Sequence, residues 1–256
     1  MGSAALNADM AKLVPTVAPP VRAELVRALG ARKATDAVPE LLRTARDEDA
    51  TVRQESLRAL HLVAEPKDLP ALVALLVQSG EGERDDLAET VVAVAHRLPE
   101  EADRPTAVLD ALQKGVPVDV RCSLLAALGR IAASPGLPTL YTALDDKNED
   151  VQKTALKALA DWPDPAPMDK LREVSRASQS TVFRVLALRG YAKQLAMPAD
   201  RSMKETLRLY QEALELAAGE PEKKSLLSGV GALRHPDAMK LLEPYLENKT
   251  FQAEAL

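Results

Sequence analysis

The chain has 256 residues, 46% hydrophobic and 28% charged, a balance that suits a folded globular protein and excludes a disordered tail or a collagen-like polymer. Its 33 basic and 38 acidic side chains leave a formal charge of -5, so no global positive field draws nucleic acid or an anionic membrane. One cysteine, Cys122, excludes an internal disulfide, and the three scattered histidines His61, His96 and His235 form no clustered zinc signature, so neither a metal nor another cofactor is expected.

The chain opens Met1-Gly2-Ser3-Ala4-Ala5, without the basic region and long apolar stretch of a secretory signal. Met-Gly-Ser reads as an appended start, which leaves open a longer natural chain carrying an export signal or a further domain. No apolar run approaches the roughly 20 residues needed to span a bilayer. The compartment stays open on these grounds.

From Val21 onward one helical pattern returns seven times: VRAELVRALG from Val21, VRQESLRALH from Val52, LAETVVAVAH from Leu87, VRCSLLAALG from Val120, VQKTALKALA from Val151, VFRVLALRGY from Val182 and, more loosely, SLLSGVGALR from Ser225. Copies four and five run in register for 31 residues from Val120 and from Val151. A period of this length is the mark of a repeat architecture. Apolar or small residues fall at the first position and at offsets four, five and eight, as in Val52, Ser56, Leu57 and Leu60 or Val120, Leu124, Leu125 and Leu128, which is helical spacing.

Between the copies lie leucine-rich segments opening near Pro39, Pro70, Pro105, Pro138 and Met168. Proline in a first helical turn loses no needed N–H, so each segment predicts a second helix and each repeat a helix pair. The intervening Asp145–Asp150 and Ser178–Thr181 turns supply caps for the helices that follow. Gly30 and Gly129 are expected to close helix ends in the left-handed conformation. The stretch from Ala192 to Ser225 exceeds one period and predicts an extended helix near Met203 to Ala218. No segment alternates as a strand does, so the predicted fold is all-α: a single α-solenoid domain over 1–256, about seven stacked helix pairs that bury a shared core.

The V-R-x-x-A-L-x-A-L-G pattern, preceded by an acidic turn and followed by a proline-led leucine helix, resembles the HEAT and HEAT-like (PBS-lyase-type) repeats over residues 19 to 247. The match is strongest at Asp119-Val120-Arg121 and Val52-Arg53. The resemblance implies that these arginines bond the acidic turn of a neighbouring repeat, forming a ladder that Gln152 and Phe183 interrupt. It also implies a non-catalytic scaffold that binds protein partners along its concave face, alone or as the interaction module of a larger protein. That is an inference from fold, not from a site.

If offsets two, three and six of the repeated helices line that face, it carries Glu24, Arg27, Gln54, Glu55, Arg58, Glu89, Thr90, Cys122, Ser123, Ala126, Lys153, Thr154 and Lys157, a small and nearly uncharged centre between charged flanks. Glu55, Arg58, Glu89, Ser123, Lys153 and Lys157 are the partner-binding candidates, with Arg58 and Lys157 placed to pair a partner's acids. Against this stands a merely solvated helix face, since mixed surface charge is common. His61 and His96 share an offset, yet two histidines do not make the three or four convergent ligands zinc needs. Cys122, near a helix N-terminus, lacks the histidine a thiol nucleophile requires in its own repeat. A competing reading comes from DNA-repair glycosylases built on HEAT-like repeats, for which Trp162 beside Asp161 and Asp164 is the candidate base-stacking site. Seven aromatics in all and a negative net charge weigh against it. A bilin-lyase-like activity has no residue support.

Overall fold

The computed structural model describes residues 2–255, all-α among those residues, with sixteen α-helices and no strand. They divide into two compact units, the first ending at Gly136 and the second beginning at Leu137. The first contains α1 (Gly2–Leu13), α2 (Pro19–Ala31), α3 (Val38–Thr44), α4 (Ala50–Val63), α5 (Leu69–Gln78), α6 (Glu81–Ala95), α7 (Thr106–Leu112) and α8 (Val118–Ile131). The second contains α9 (Leu137–Ala143), α10 (Glu149–Ala160), α11 (Met168–Ala177), α12 (Thr181–Leu195), α13 (Met203–Leu216), α14 (Glu220–Ala232), α15 (Pro236–Leu242) and α16 (Gln252–Ala255).

All seven copies of the repeated pattern are helices, the even-numbered ones from α2 to α14. In the first unit α2, α4, α6 and α8 pack in sequence as one row, and the shorter α3, α5 and α7 form a second row against it. In the second unit α10, α12 and α14 pack likewise, with α11 against α12 and α13 against α14. The core lies between the rows. The set at offsets zero, four, five and eight is buried in α4 (Val52, Ser56, Leu57, Leu60), α6 (Leu87, Val91, Val92, Ala95), α8 (Val120, Leu124, Leu125, Leu128) and α10 (Val151, Ala155, Leu156, Leu159). One helical face thus supplies a continuous apolar strip to its neighbours.

Side chains in the turns stop the helices where the sequence places them. Asp49 accepts from the Thr51 and Val52 amides, Asn148 from Asp150 and Val151, and Ser180 from Phe183, each satisfying N–H groups that a helix leaves unpaired at its start. The long helix expected near Met203 to Ala218 is α13, which buries Leu209, Tyr210, Ala213 and Leu214.

Three expectations need correction. In α12 the buried set is Phe183, Ala187, Leu188 and Tyr191, while Val182 is exposed, so the frame starts at Phe183 and not at Val182. In α14 it is Glu222, Leu226, Leu227 and Val230, three residues ahead of Ser225. Gly30 and Gly129 do not end helices: both lie inside them, and the left-handed positions after α2 and α8 fall to Lys33 and Ala132. Gly30 serves close packing instead, because a Cβ there would sit 2.9 Å from Ala59 Cβ on α4. Gly190 does the same on α12, where a Cβ would stand 2.6 Å from Ala160 Cβ on α10. Near the two ends of the chain Val14 and Phe251 are buried and Leu13 is exposed. Met1 and Leu256 lie outside the described residues.

Candidate partner-binding face

In the first unit arginines at the starts of successive repeated helices reach forward to an acid of the next repeat. Arg22 pairs with Asp47, Arg53 with Glu83 at 2.5 Å and Arg84 with Asp119 at 2.6 Å. The same guanidinium groups hold turn carbonyls: Arg22 donates to Val14 and Val17, Arg53 to Asp47 and Glu48, and Arg84 to Ser79. Asp47 feels burial pushing its carboxyl up, but the Asp49 amide and Arg22 outweigh this and hold it below the ordinary value.

The second unit keeps the carbonyl contact with different residues. Gln152 donates to the Asp146 carbonyl, as Arg53 does to Asp47, so the amide replaces the charge but not the bond. Phe183 is not a failed arginine; it is the buried first position, and Arg184 beside it donates to the Ser178 carbonyl. Arg184 escaped the sequence reading because a frame set by Val182 is displaced by one residue. The signal that finds it is a carbonyl six residues back, the separation shared by residues 53, 152 and 184.

A second column runs along the face at offset six. Arg27 crosses from α2 to Glu55 on α4, Nε to Oε2 at 3.1 Å, and Arg189 crosses from α12 to Glu222 on α14 at 2.8 Å. Arg58 does not cross: its Nη1 turns back to Glu55 on its own helix at 2.7 Å. Glu55, expected as an exposed contact, is therefore buried between two guanidinium groups. The hydrogen bond from Arg27, opposed in part by burial and joined by the charge of both arginines, lowers its carboxyl below the ordinary value.

Of the other candidates, Arg58 and Glu89 are brought together at one groove between α4 and α6, lined by Leu57, Arg58, His61, Leu62, Asp86, Glu89 and Thr90, with a volume of about 320 Å³. Leu62 is 56% exposed there, an unusual position for a leucine on a repeat helix. The Thr90 hydroxyl lies 3.0 Å from the Asp86 carbonyl and 3.2 Å from His61 Nδ1, which ties His61 to α6. Ser123 is half-buried on α8 and donates to the Asp119 carbonyl. Lys153 and Lys157 are exposed on α10, in the second unit.

The two remaining histidines have hydrogen-bond partners. His96 Nε2 donates to the Arg130 carbonyl at 3.3 Å, and His235 caps α15 by accepting from the Asp237 amide. Among the described residues no group of histidine, cysteine and carboxylate side chains converges as a metal site. Cys122 is free and half-buried, and the histidine bonds already described go elsewhere. Trp162 is 1% exposed, so its ring has no face to offer a nucleobase, and none of the other aromatic side chains is fully exposed either. No helix is long and apolar enough to cross a membrane among the described residues.

The sequence profile of HEAT repeats matches residues 11–92 and 105–192. The chain belongs to the HEAT repeat family. The paired helices, the acidic turns and the Arg22, Arg53 and Arg84 rungs are thus features of a HEAT repeat array of the α-solenoid class. Among curated proteins none matches the sequence. Similar solved structures include the complex of CpcE and CpcF of phycocyanin lyase from Nostoc sp. PCC7120, 18% identical, covering 96% of this chain and 93% of that one with a TM-score of 0.41. Another is the archaeal HEAT-like repeats protein from Thermococcus onnurineus NA1, 13% identical, covering 87% of this chain and 97% of that one with a TM-score of 0.47.

Proposed function

We propose that the chain is a non-catalytic scaffold that binds a protein partner through the exposed face of its long repeated helices. The observation that carries this reading is the α4–α6 groove, which joins an exposed leucine to charged rims on two adjacent HEAT helices. An apolar floor within a polar rim is the anatomy of an interface centre. The histidines have hydrogen-bond partners and Trp162 is buried, which favours recognition by shape and charge over chemistry at a site.

The test is photo-crosslinking in the source cell from an unnatural amino acid placed at Arg58, at Glu89 or at Lys157, against a control at the exposed Ala74 on α5 in the opposite row. The expected outcome is a discrete protein adduct from the long-helix positions and none from Ala74. Adducts only from Ala74, or none from any position, would overturn the reading, and a nucleic-acid adduct would move it to the glycosylase-like alternative.

A further inference from the structure

We infer that the α4–α6 groove is built for a peptide segment of a protein partner in which an apolar side chain stands next to a lysine or arginine. The inference rests on the scaffold reading and reverses the charge expected from the sequence, in which Arg58 was to receive a partner's acid. Three observations lead there.

The first is the offset-six column. Where Arg27 and Arg189 occupy that position, each crosses the seam to a buried acid on the next helix, Glu55 and Glu222. At the α4–α6 seam the arginine is present, as Arg58, but it is bound to Glu55, which Arg27 also holds. The seam's own cation is spent on the preceding one.

The second is the far wall. Asp86 and Glu89 face the groove from α6, and among the described residues no Lys, Arg or His nitrogen lies within 4.0 Å of either carboxylate. Of the charged residues that line the groove, Arg58 is paired with Glu55, and the nearby Arg97 is turned to the His61 and Ala64 carbonyls. Asp86 and Glu89 therefore leave the lining itself net negative. An incoming cation gains from both, and an incoming carboxylate is repelled by both.

The third is the floor. Leu57 and Leu62 lie within the same lining, and Leu62 is more than half exposed. At the equivalent seam of the second unit the groove is lined by Leu188, Arg189, Ala192, Pro221, Glu222 and Ser225, with Ala192 at the offset of His61 and the arginine bridging to Glu222. That groove is smaller, about 230 Å³, and its charges are already matched. The α4–α6 seam thus presents an apolar contact and two unmatched acids together, and the occupant that satisfies both is a basic-apolar segment.

The experiment is selection of a displayed library of short random peptides on the purified full-length chain, followed by affinity measurement of the selected peptides by fluorescence polarisation. The expected result is enrichment of sequences joining Leu, Ile, Met or Phe to Lys or Arg. Their affinity should fall about tenfold or more on Asp86→Asn/Glu89→Gln, fall similarly on Leu62→Asp, and weaken with added salt. Lys204→Glu, an exposed lysine on α13 in the second unit, should leave it unchanged. All variants alter exposed side chains, and retained helicity by circular dichroism confirms that each is folded.

Enrichment of acidic peptides, insensitivity to Asp86→Asn/Glu89→Gln, or no enrichment at all would overturn the inference. If selection fails while discrete crosslinks still form from the long-helix face, only this assignment falls and the scaffold reading stands. If neither peptides nor crosslinks appear, both fall.

Discussion

The two seams α4–α6 and α12–α14 are built on one plan and finished differently. Each offers Leu at offset five and Arg at offset six, Leu57 with Arg58 and Leu188 with Arg189. The divergence lies in the first position of the following helix. In α6 it is Leu87, buried as the repeat requires; in α14 it is Glu222, a buried carboxylate where the other six copies place a hydrophobic residue, exposed only at Val21. Glu222 draws Arg189 across, as Glu55 at offset three draws Arg27 across the α2–α4 seam; α6 has Leu87 and Thr90 at those two offsets, and Arg58 folds back to Glu55. Where the next helix carries a buried carboxylate at one of these offsets the cation ties two repeats together, and where it carries none the seam stays open to a partner.

Core substitutions should give the largest effects and should test the shared plan. Leu125→Ala on α8 removes a fully buried side chain at offset five, and an expected loss of about 2 to 5 kcal/mol follows from lost burial plus the cavity left behind. Urea denaturation followed by circular dichroism measures it; unchanged stability would mean that offset five is not a core position.

Next come the close-packing glycines, which compare the two units directly. A Cβ at Gly190 would meet the Ala160 backbone Cα at 2.6 Å, while at Gly30 the corresponding approach to Ala59 Cα is 3.0 Å. Gly190→Val should therefore cost more than Gly30→Val, each on the order of 1 to 3 kcal/mol because backbone must move. Equal losses in thermal unfolding would show that the α10–α12 seam yields as easily as α2–α4.

Smaller again is Glu222→Gln, which keeps the shape and removes the charge from the bridged seam. Arg189 is 61% exposed, so the loss should be about 1 kcal/mol, with the α12–α14 groove now resembling the open one. A loss several times larger, read from the same urea titration, would mean that the bridge and not the apolar strip holds α14 in place.

The pH dependence of Glu55 completes the series. Its folded-state carboxyl is lowered, first by the Arg27 hydrogen bond, so its contribution is fully present above the unfolded carboxylate value of about 4.3 and is lost as the pH falls through the lower folded value. Stability at pH 7 relative to that in strong acid should shrink in Glu55→Gln, measured by denaturant midpoints across the acid range. An unaltered acid limb would show that the Arg27–Glu55–Arg58 cluster forms in the unfolded chain too or contributes nothing.

Much of the fold was legible because helices announce themselves locally. The four-position apolar frame, the prolines of the short helices and caps such as Asp49, Asn148 and Ser180 each act within a turn or two of their own backbone. The frame slipped in α12 and α14 for an equally local reason. Val182 and Phe183 are both apolar, so periodicity alone does not choose between them, and Glu222 is a charged residue in an apolar slot whose burial depends on Arg189 from another helix.

The candidate face was legible only in outline. Arg58 and Glu89 do meet at one groove, as a common exposed stripe implies, but Glu55 is buried and Arg58 is already paired. Trp162 read as a possible platform and is interior.

By itself, then, the sequence determined the helices, their pairing and the family, since these follow from repeated short-range patterns and from capping chemistry. The tertiary structure decided which carboxylates are held, which glycines bring helices together and which seam stays open. Those outcomes depend on the few ångströms between side chains some thirty residues apart, a separation at which Arg27 finds Glu55 and Arg189 finds Glu222 while Arg58 finds only its own helix.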